Sequence, residues 1–404
     1  MRCALPLAGL LALVAVVRAT GPLTRVPWGE PLWQGNSADF GRGGAGLALL
    51  DSTRLGGTNP ATFHAGRLTR FQTGFSGVRS KVDDGLQRQT FSSGQFDSWS
   101  LGFPVLWKDL HAGLAMAPLT HMDFLLAERG ADSLGRDYIN SLKGSGGLSR
   151  LGLVLARPAT PTLRVGVELG LCFGSVLEEW KLFYPQSAPP YDSWVEQRRS
   201  LLGFQGRLGL HWQARPGLAL GLAWTVPSRA DFTVDLENRG NNMDAEVLTR
   251  RVDLPGEVSL GADWRRGGLD WLLDLRLQDW SSAPLGSILA DSLGRREHPL
   301  GVALGLDLPP RTDFSAPWYR RVAWRAGLRR EEWYARRQDG AGGWHDQRAL
   351  TASLGTGIPL KAYGSWLDLA LEAGRAGDDG LRDDFVRLRL GLGARDLWFV
   401  RPRY

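Results

Sequence analysis

The chain has 404 residues, with 48 Lys and Arg against 42 Asp and Glu, 52 Gly, 17 Trp and 2 Cys. Glycine at about 13% is near twice the ordinary ~7%, and no run of ~18 apolar residues occurs beyond the extreme amino end, which excludes a polytopic helical membrane protein. Apolar residues recur in order along the whole length, which excludes disorder, and no linker or shift of composition divides the chain into soluble domains.

From the amino end, Met1-Arg2-Cys3 opens a basic start, an apolar stretch runs through Val17, and Val17-Arg18-Ala19 precedes Thr20. These are the parts of a secretory signal peptide, so residues 1–19 are predicted to be cleaved after Ala19. Cys3 leaves with it, and a mature chain keeping only Cys172 has no internal disulfide. Residues 20–65 are predicted to form a plug. Within them, Gly35 to Ala65 carries Gly41-Arg42-Gly43-Gly44-Ala45-Gly46 and Thr58-Asn59-Pro60-Ala61-Thr62-Phe63. The stretch shows no strand alternation, is too rich in small residues for a stable helix and is too apolar for a disordered tail.

Residues 66–404 alternate with period two. Val258, Leu260, Ala262 and Trp264 oppose Glu257, Ser259, Gly261 and Asp263, and Leu269, Trp271, Leu273, Leu275 and Leu277 oppose Asp270, Asp274, Arg276 and Gln278. A strand places such sets on opposite faces. The strands are about ten residues long, as a tilted membrane strand needs, and Trp107, Trp180, Trp212, Trp224, Trp264, Trp280, Trp366 and Trp398 sit near their ends, where aromatic girdles meet headgroups. Fourteen strands are predicted, beginning near Leu68, Phe96, Leu110, Leu148, Leu163, Leu201, Leu218, Val252, Leu269, Leu300, Val322, Leu350, Trp366 and Phe385.

Short turns such as Arg265-Arg266-Gly267-Gly268 alternate with longer polar excursions: Asp123 to Gly147, Trp180 to Ser200, Pro227 to Arg250, Ser281 to His298 and Trp333 to Asp346. The fold class is therefore all-β: a transmembrane antiparallel up-and-down barrel of about fourteen strands with an N-terminal plug, in the outer membrane of a Gram-negative-type bacterium. Inward glycines are expected to keep the lumen open. Its charges fall on neighbouring strands: Asp368 and Glu372 would face Arg387 and Arg389 as a ladder, and a mixed-sign interior reads first as structural pairing and second as a polar pathway.

The Gly-Ala-rich leader with Asn59-Pro60-Ala61 before the first strand resembles the N-terminal hatch of the outer-membrane long-chain fatty-acid transporter family (FadL-like). The stretches Leu254-Pro255-Gly256-Glu257-Val258-Ser259-Leu260-Gly261-Ala262, Asp274 to Ser281, Leu367 to Arg375 and Asp396 to Tyr404 are similar to a divergent branch of it. The resemblance implies a plugged barrel that moves hydrophobic molecules by diffusion, taking them up outside and releasing them through an opening in the wall. It also implies an apolar collection surface. A short amphipathic helix with Leu134, Tyr138 and Leu142 on one face fits that role, as does a second over Gly286 to Leu293; loops that pack on themselves fit equally. Asp51-Ser52-Thr53-Arg54 departs from the family's small residues, which bears on plug mobility.

Six scattered histidines show no metal-ligand spacing, and neither a Gly-x-Ser-x-Gly elbow nor a phosphate-cradling loop occurs, so no catalytic residue, metal or cofactor is expected. The net charge of +6 is spread along the strands without a nucleic-acid motif and suits lipopolysaccharide phosphates. Expected partners are outer-membrane lipids and lipopolysaccharide, a hydrophobic small molecule, and the barrel-assembly machinery during biogenesis. A scaffold or shuttle barrel in surface-protein export is the alternative, with a general porin third.

Overall fold

The computed structural model describes residues 23, 26 and 28–396, apart from 52, 65, 84, 86–87, 106–108, 186–191, 239–242, 282–293, 312, 314, 339–341, 361–364 and 379. The expected signal peptide and the helix expected over Gly286 to Leu293 lie outside the described residues.

The alternating stretches form strands: β1 (Thr69–Asp83), β2 (Arg88–Val105), β3 (Leu110–Pro118, resumed as Thr120–Ala131), β4 (Asp137–Pro158), β5 (Leu163–Phe183), β6 (Asp192–Arg215) and β7 (Leu218–Thr225, resumed as Ser228–Asn238). They continue as β8 (Met243–Leu254, resumed as Gly256–Arg266), β9 (Leu269–Asp279), β10 (Gly294–Arg295 and Leu300–Leu308), β11 (Ala323–Gln338), β12 (Trp344–Pro359), β13 (Trp366–Gly377) and β14 (Arg382–Asp396). Neighbours pair antiparallel, and β14 returns to β1 from Arg382↔Asp83 to Asp396↔Thr69, closing a ring of fourteen. Closure gives every strand in the ring a neighbour on both sides over at least part of its length, which is what lets a sheet cross lipid.

Four of the predicted excursions are mainly strand. Residues 123–131 and 137–147 belong to β3 and β4, and much of 180–200, 227–250 and 333–346 extends β5 to β8, β11 and β12. β6 is 24 residues long, about twice what a membrane crossing needs. The far halves of β3 to β8 therefore stand clear of the lipid. No helix forms at Leu134, Tyr138 and Leu142: Leu134 lies in the turn between β3 and β4, and the other two lie on β4.

The two halves bury different faces. Near the short turns, Leu202, Phe204, Leu208, Leu210 and Trp212 of β6 point outward while Arg207 and Gln205 are buried inside. Farther along, the pattern inverts: Phe232 and Val234 of β7, Val252 of β8 and Met122 and Phe124 of β3 are buried inside, and Arg229, Asp231 and Arg251 face water. β3 and β7 each carry one extra residue against β4 and β6, at Leu119 and at 226–227. One extra residue exchanges the faces of everything after it. β8 changes face in step, at Pro255.

The stretch before β1 runs inside this ring. Leu23 packs with Val78, Trp333 and Phe385 near the far end, and His64 meets His111 beside the short turns. A five-residue helix, α1 (Ser37–Gly41), forms there after all, because the Asn36 side chain accepts from Ala38 and Asp39 amides while Asp39 accepts from the Asn36 amide. Asn59 caps a single turn over Pro60–Thr62, with proline at its first position. The wall glycines do not hold the lumen open; they admit this backbone. A Cβ at Gly327 would collide with Arg42 and Gly43, and one at Gly166 with Pro60 and Ala61.

Candidate functional site

The ring is split on one side. β2 pairs with β3 only from Trp99↔Met116 to Val105↔Leu110. Beyond that, among the described residues, the rest of β2 pairs with β1 alone, and Met122 to Ala131 pair with β4 alone. At the base of the split the inner segment substitutes for the missing neighbour: Glu30 and Pro31 pair with His121 and Thr120. The Leu32 amide also donates to the Leu119 carbonyl at 2.9 Å, and the Gln34 side chain donates to the Pro118 carbonyl at 2.9 Å. The inner segment thus satisfies the Pro118 and Leu119 carbonyls, which no neighbouring strand takes among the described residues, while the Leu119 amide donates to Leu148 of β4.

A chamber of about 110 Å³ reaches the base of this split at Leu119 and Thr120, with Pro31 and Gln34 of the inner segment in its wall and β2 contributing nothing to it. Its sides are apolar: Trp28, Leu148, Cys172, Leu201, Phe232 and Val252. Trp28 meets Phe232 edge-on at 5.0 Å between ring centroids. The Trp28 amide donates to the Tyr334 hydroxyl, which itself donates to the Gly29 carbonyl at 3.0 Å. The floor is polar, with Arg150, Arg207, Glu257 and Arg276. Those charges are matched, since Glu168 binds Arg150 and Arg207, each at 3.0 Å, and Glu257 binds Arg276 at 2.6 Å. An apolar cavity of ~150 Å³ holds a benzene ring, so the chamber suits one ring or a stretch of alkyl chain.

Below the chamber, paired charges tie the inner segment to the wall. Arg42 binds Asp307 at 2.6 Å and Arg54 binds Asp368 through two bonds of 2.6 and 2.7 Å. Asp274 accepts from the Gly46 and Leu47 amides, and Arg207 donates to the Thr58 carbonyl. Asp51 accepts from Thr53 and Arg54; burial opposes its ionisation, but these partners hold its carboxyl well below the usual range.

Of the predicted residues, Asn59, Pro60 and Ala61 sit at the short-turn end, where the Asn59 side-chain Nδ2 donates to the Leu47 and Leu210 carbonyls. The ladder is only partly as expected. Glu372 takes Arg389 at 2.6 Å, Arg329 at 3.2 Å and Arg387 at 3.9 Å, whereas Asp368 binds Arg54 and Arg325 and neither of the expected arginines. Asp368 sits opposite Gly391 in register, which leaves it free for the inner segment. Leu142 packs against the apolar core around Phe124, and Tyr138 covers Gly130; they and exposed Leu134 form no common patch.

Two features went unanticipated because they join residues distant in sequence: the chamber, and a His64–His111 pair 3.0 Å apart with Arg164 at 3.3 Å. Burial, with His111 and Arg164 nearby, lowers the His64 pKa to about 3. Among the described residues no cluster of three His, Cys, Asp or Glu is placed to hold a metal ion.

Glu30, at the base of the split, is shifted the other way. Burial raises its pKa from 4.5 to about 7, against the pull of Arg387. With the folded value above the unfolded one, the stability it contributes is complete below about 4.5 and lost as pH rises through 7. Glu30→Gln should therefore match the parent in urea unfolding near pH 4.5 and exceed it at pH 8, by on the order of 1–3 kcal/mol.

In comparisons with known proteins, a family model described as BamG matches residues 35–404. No curated protein matches the sequence. The structure is similar to that of CymD, a monoaromatic hydrocarbon channel, at 14% identity over 94% of this chain and 99% of that one, with a TM-score of 0.58. It is likewise similar to the toluene transporter TodX of Pseudomonas putida, at 17% identity over 91% and 98% of the two chains, with a TM-score of 0.51. At these identities the likeness concerns the fold.

Proposed function

This chain belongs to the BamG family and folds as a closed barrel of fourteen strands, and we propose that it is an outer-membrane channel that passes hydrophobic compounds by diffusion. The observation that carries this reading is the apolar chamber that reaches Leu119 and Thr120 at the base of the split between β2 and β3, where Pro31 and Gln34 of the inner segment stand beside it. A solute leaving water at the far end meets Trp28, Leu148, Leu201 and Phe232 first and the charged floor next. Passage straight down would strip it of apolar contact and run into the inner segment. The lateral route leaves through the base of the split, at the edge of the lipid band where β3 changes face at Leu119, with residues 29–34 as the movable sill. No energy source is needed, since partitioning drives the step.

The hydrocarbon-channel relatives support a small aromatic solute, and the fatty-acid transporter resemblance supports long-chain fatty acids. Both share the apolar chemistry of the chamber. Proteoliposomes offered a radiolabelled long-chain fatty acid and, in parallel, labelled toluene should show saturable, protein-dependent entry of at least one. Cys172 provides an internal control, because it lines the chamber and is the only cysteine among the described residues. Its modification with a charged methanethiosulfonate should slow entry about tenfold or more, and reduction should restore it, since a desolvated charge costs far more than the 1.4 kcal/mol that tenfold represents. Entry no faster than in empty vesicles, for both solutes, would overturn the reading.

A second reading, a scaffold or shuttle barrel in surface-protein export, is favoured by the ion pairs that pin the inner segment and by a family name that points to the barrel-assembly machinery. Recovery of an assembly or export component with the affinity-tagged protein, together with absent uptake, would select it.

A further inference from the structure

On the outer wall, away from the chamber, the lipid-facing rows of β12 and β13 change character within a few residues. Leu354 stands beside Leu371, then Ala352 beside Ala373, then Leu350 beside Arg375, then Arg348 beside Gly377. β11 sets Leu328 next to Ala352 and Arg330 next to Leu350, and β14 sets Val386 next to Ala373 and Arg382 next to Gly377. The two alanines, ringed by large apolar side chains, leave an open groove of about 750 Å³ that ends under four guanidinium groups.

These arginines outnumber their anions. Arg330 binds Glu332 at 3.2 Å, and Arg375 and Arg382 share Asp384 at 2.7 and 3.4 Å. Arg348 is exposed and has no carboxylate partner among the described residues. Asp378, also at the groove, is committed to Arg337 at 2.7 Å. On the same outward face of β1, Arg79 and Lys81 lie opposite Val386 and Asp384, extending the positive field. A surplus of cations at the headgroup edge of a lipid-contact surface attracts an anionic headgroup, by about 1 kcal/mol per basic residue. Guanidinium forks match a phosphate through paired bonds, and the groove continues without a break into the leucine band below.

We propose that this groove binds one phosphorylated glycolipid of the outer leaflet, its phosphate on Arg330, Arg348, Arg375 and Arg382 and an acyl chain over Ala352 and Ala373. The site lies at the end of the barrel opposite residues Thr69 and Asp396. The inference rests on the reading of the chain as an outer-membrane barrel, but not on what the chamber carries.

The test uses the full mature chain in nanodiscs of neutral lipid, with diphosphoryl lipid A, dephosphorylated lipid A or phosphatidylglycerol added and retention read by native mass spectrometry. Diphosphoryl lipid A should bind one to one and about tenfold or more tighter than the other two. The double variant Arg348→Gln/Arg375→Gln should lose about tenfold or more of that binding, as should Ala373→Phe, which fills the groove. Arg250→Gln/Arg251→Gln, which removes the same charge from β8, should change nothing. Equal retention of all three lipids, or binding indifferent to the groove variants, would overturn the proposal. Heat-modifiable gel mobility measured on the same samples separates that outcome from failure of the barrel reading itself, which would show as mobility unchanged by heating.

Discussion

Deleting residues 35–65 should turn a nearly silent barrel into a conducting one, with single-channel conductance in planar bilayers rising about tenfold or more. A ring of eight strands is just filled by its own side chains, whereas sixteen to eighteen leave an aqueous channel. Fourteen strands enclose a lumen that needs something inside it. Here α1, the Gly41–Leu50 stretch and the Asn59–Phe63 turn fill that space, with Ala38, Ala45, Ala48 and Ala61 fully buried. The deletion should be tolerated by the wall, because Asp274, Asp307 and Asp368 lose their inner-segment partners and gain water together. They are then solvated groups rather than buried unpaired ones. An unchanged trace from a heat-modifiable barrel would mean that the segment does not obstruct conduction.

The second large effect is expected inside the wall. Glu372 is fully buried and sits among Arg329, Arg387 and Arg389. Arg389 also binds Asp97 at 2.7 Å, and its guanidinium lies 3.5 Å from the Phe40 ring centroid of α1. Glu372→Leu therefore leaves a cluster of cations short of an anion, at a cost of about 3–5 kcal/mol. Urea unfolding in detergent should register it as a large drop in the midpoint. Glu372→Gln, which keeps an acceptor but not the charge, should fall between the two. Removing the exposed Arg251–Asp231 pair should leave the midpoint where it was. If Glu372→Leu were neutral, the cluster would be solvated rather than dry, and the lumen wetter than its burial implies.

The fourteen strands were readable because outward leucines and inward small or charged residues keep one phase through the lipid band, as in Val258 to Trp264 and Leu269 to Leu277. The far halves were not, for a physical reason. There the outside is water, so Arg229, Asp231 and Arg251 take the outward positions and the stretch reads as a polar loop. The extra residues at Leu119 and 226–227 also reset the phase, so the apolar set that lines the chamber falls out of step with the set that faces lipid. A similar limit applies to the charges. Glu372 could be assigned to its neighbours on β14 from strand adjacency, but the partner of Asp368 is Arg54, which no strand pattern places. Glycine was abundant for a reason visible only with the inner segment in place, since Gly166 and Gly327 matter through the backbone that touches them.

The inner segment precedes β1 in the chain and passes from Leu23 near the far end to His64 beside the short turns, so the start of the polypeptide lies within the ring that the rest of it forms. The seam of β14 on β1 encloses a segment anchored to β9, β10 and β13 through Asp274, Asp307 and Asp368. A barrel that closed with the segment outside would have no route by which to admit α1 past its hydrogen-bonded wall except, among the described residues, the interval between β2 and β3 where that wall is not joined.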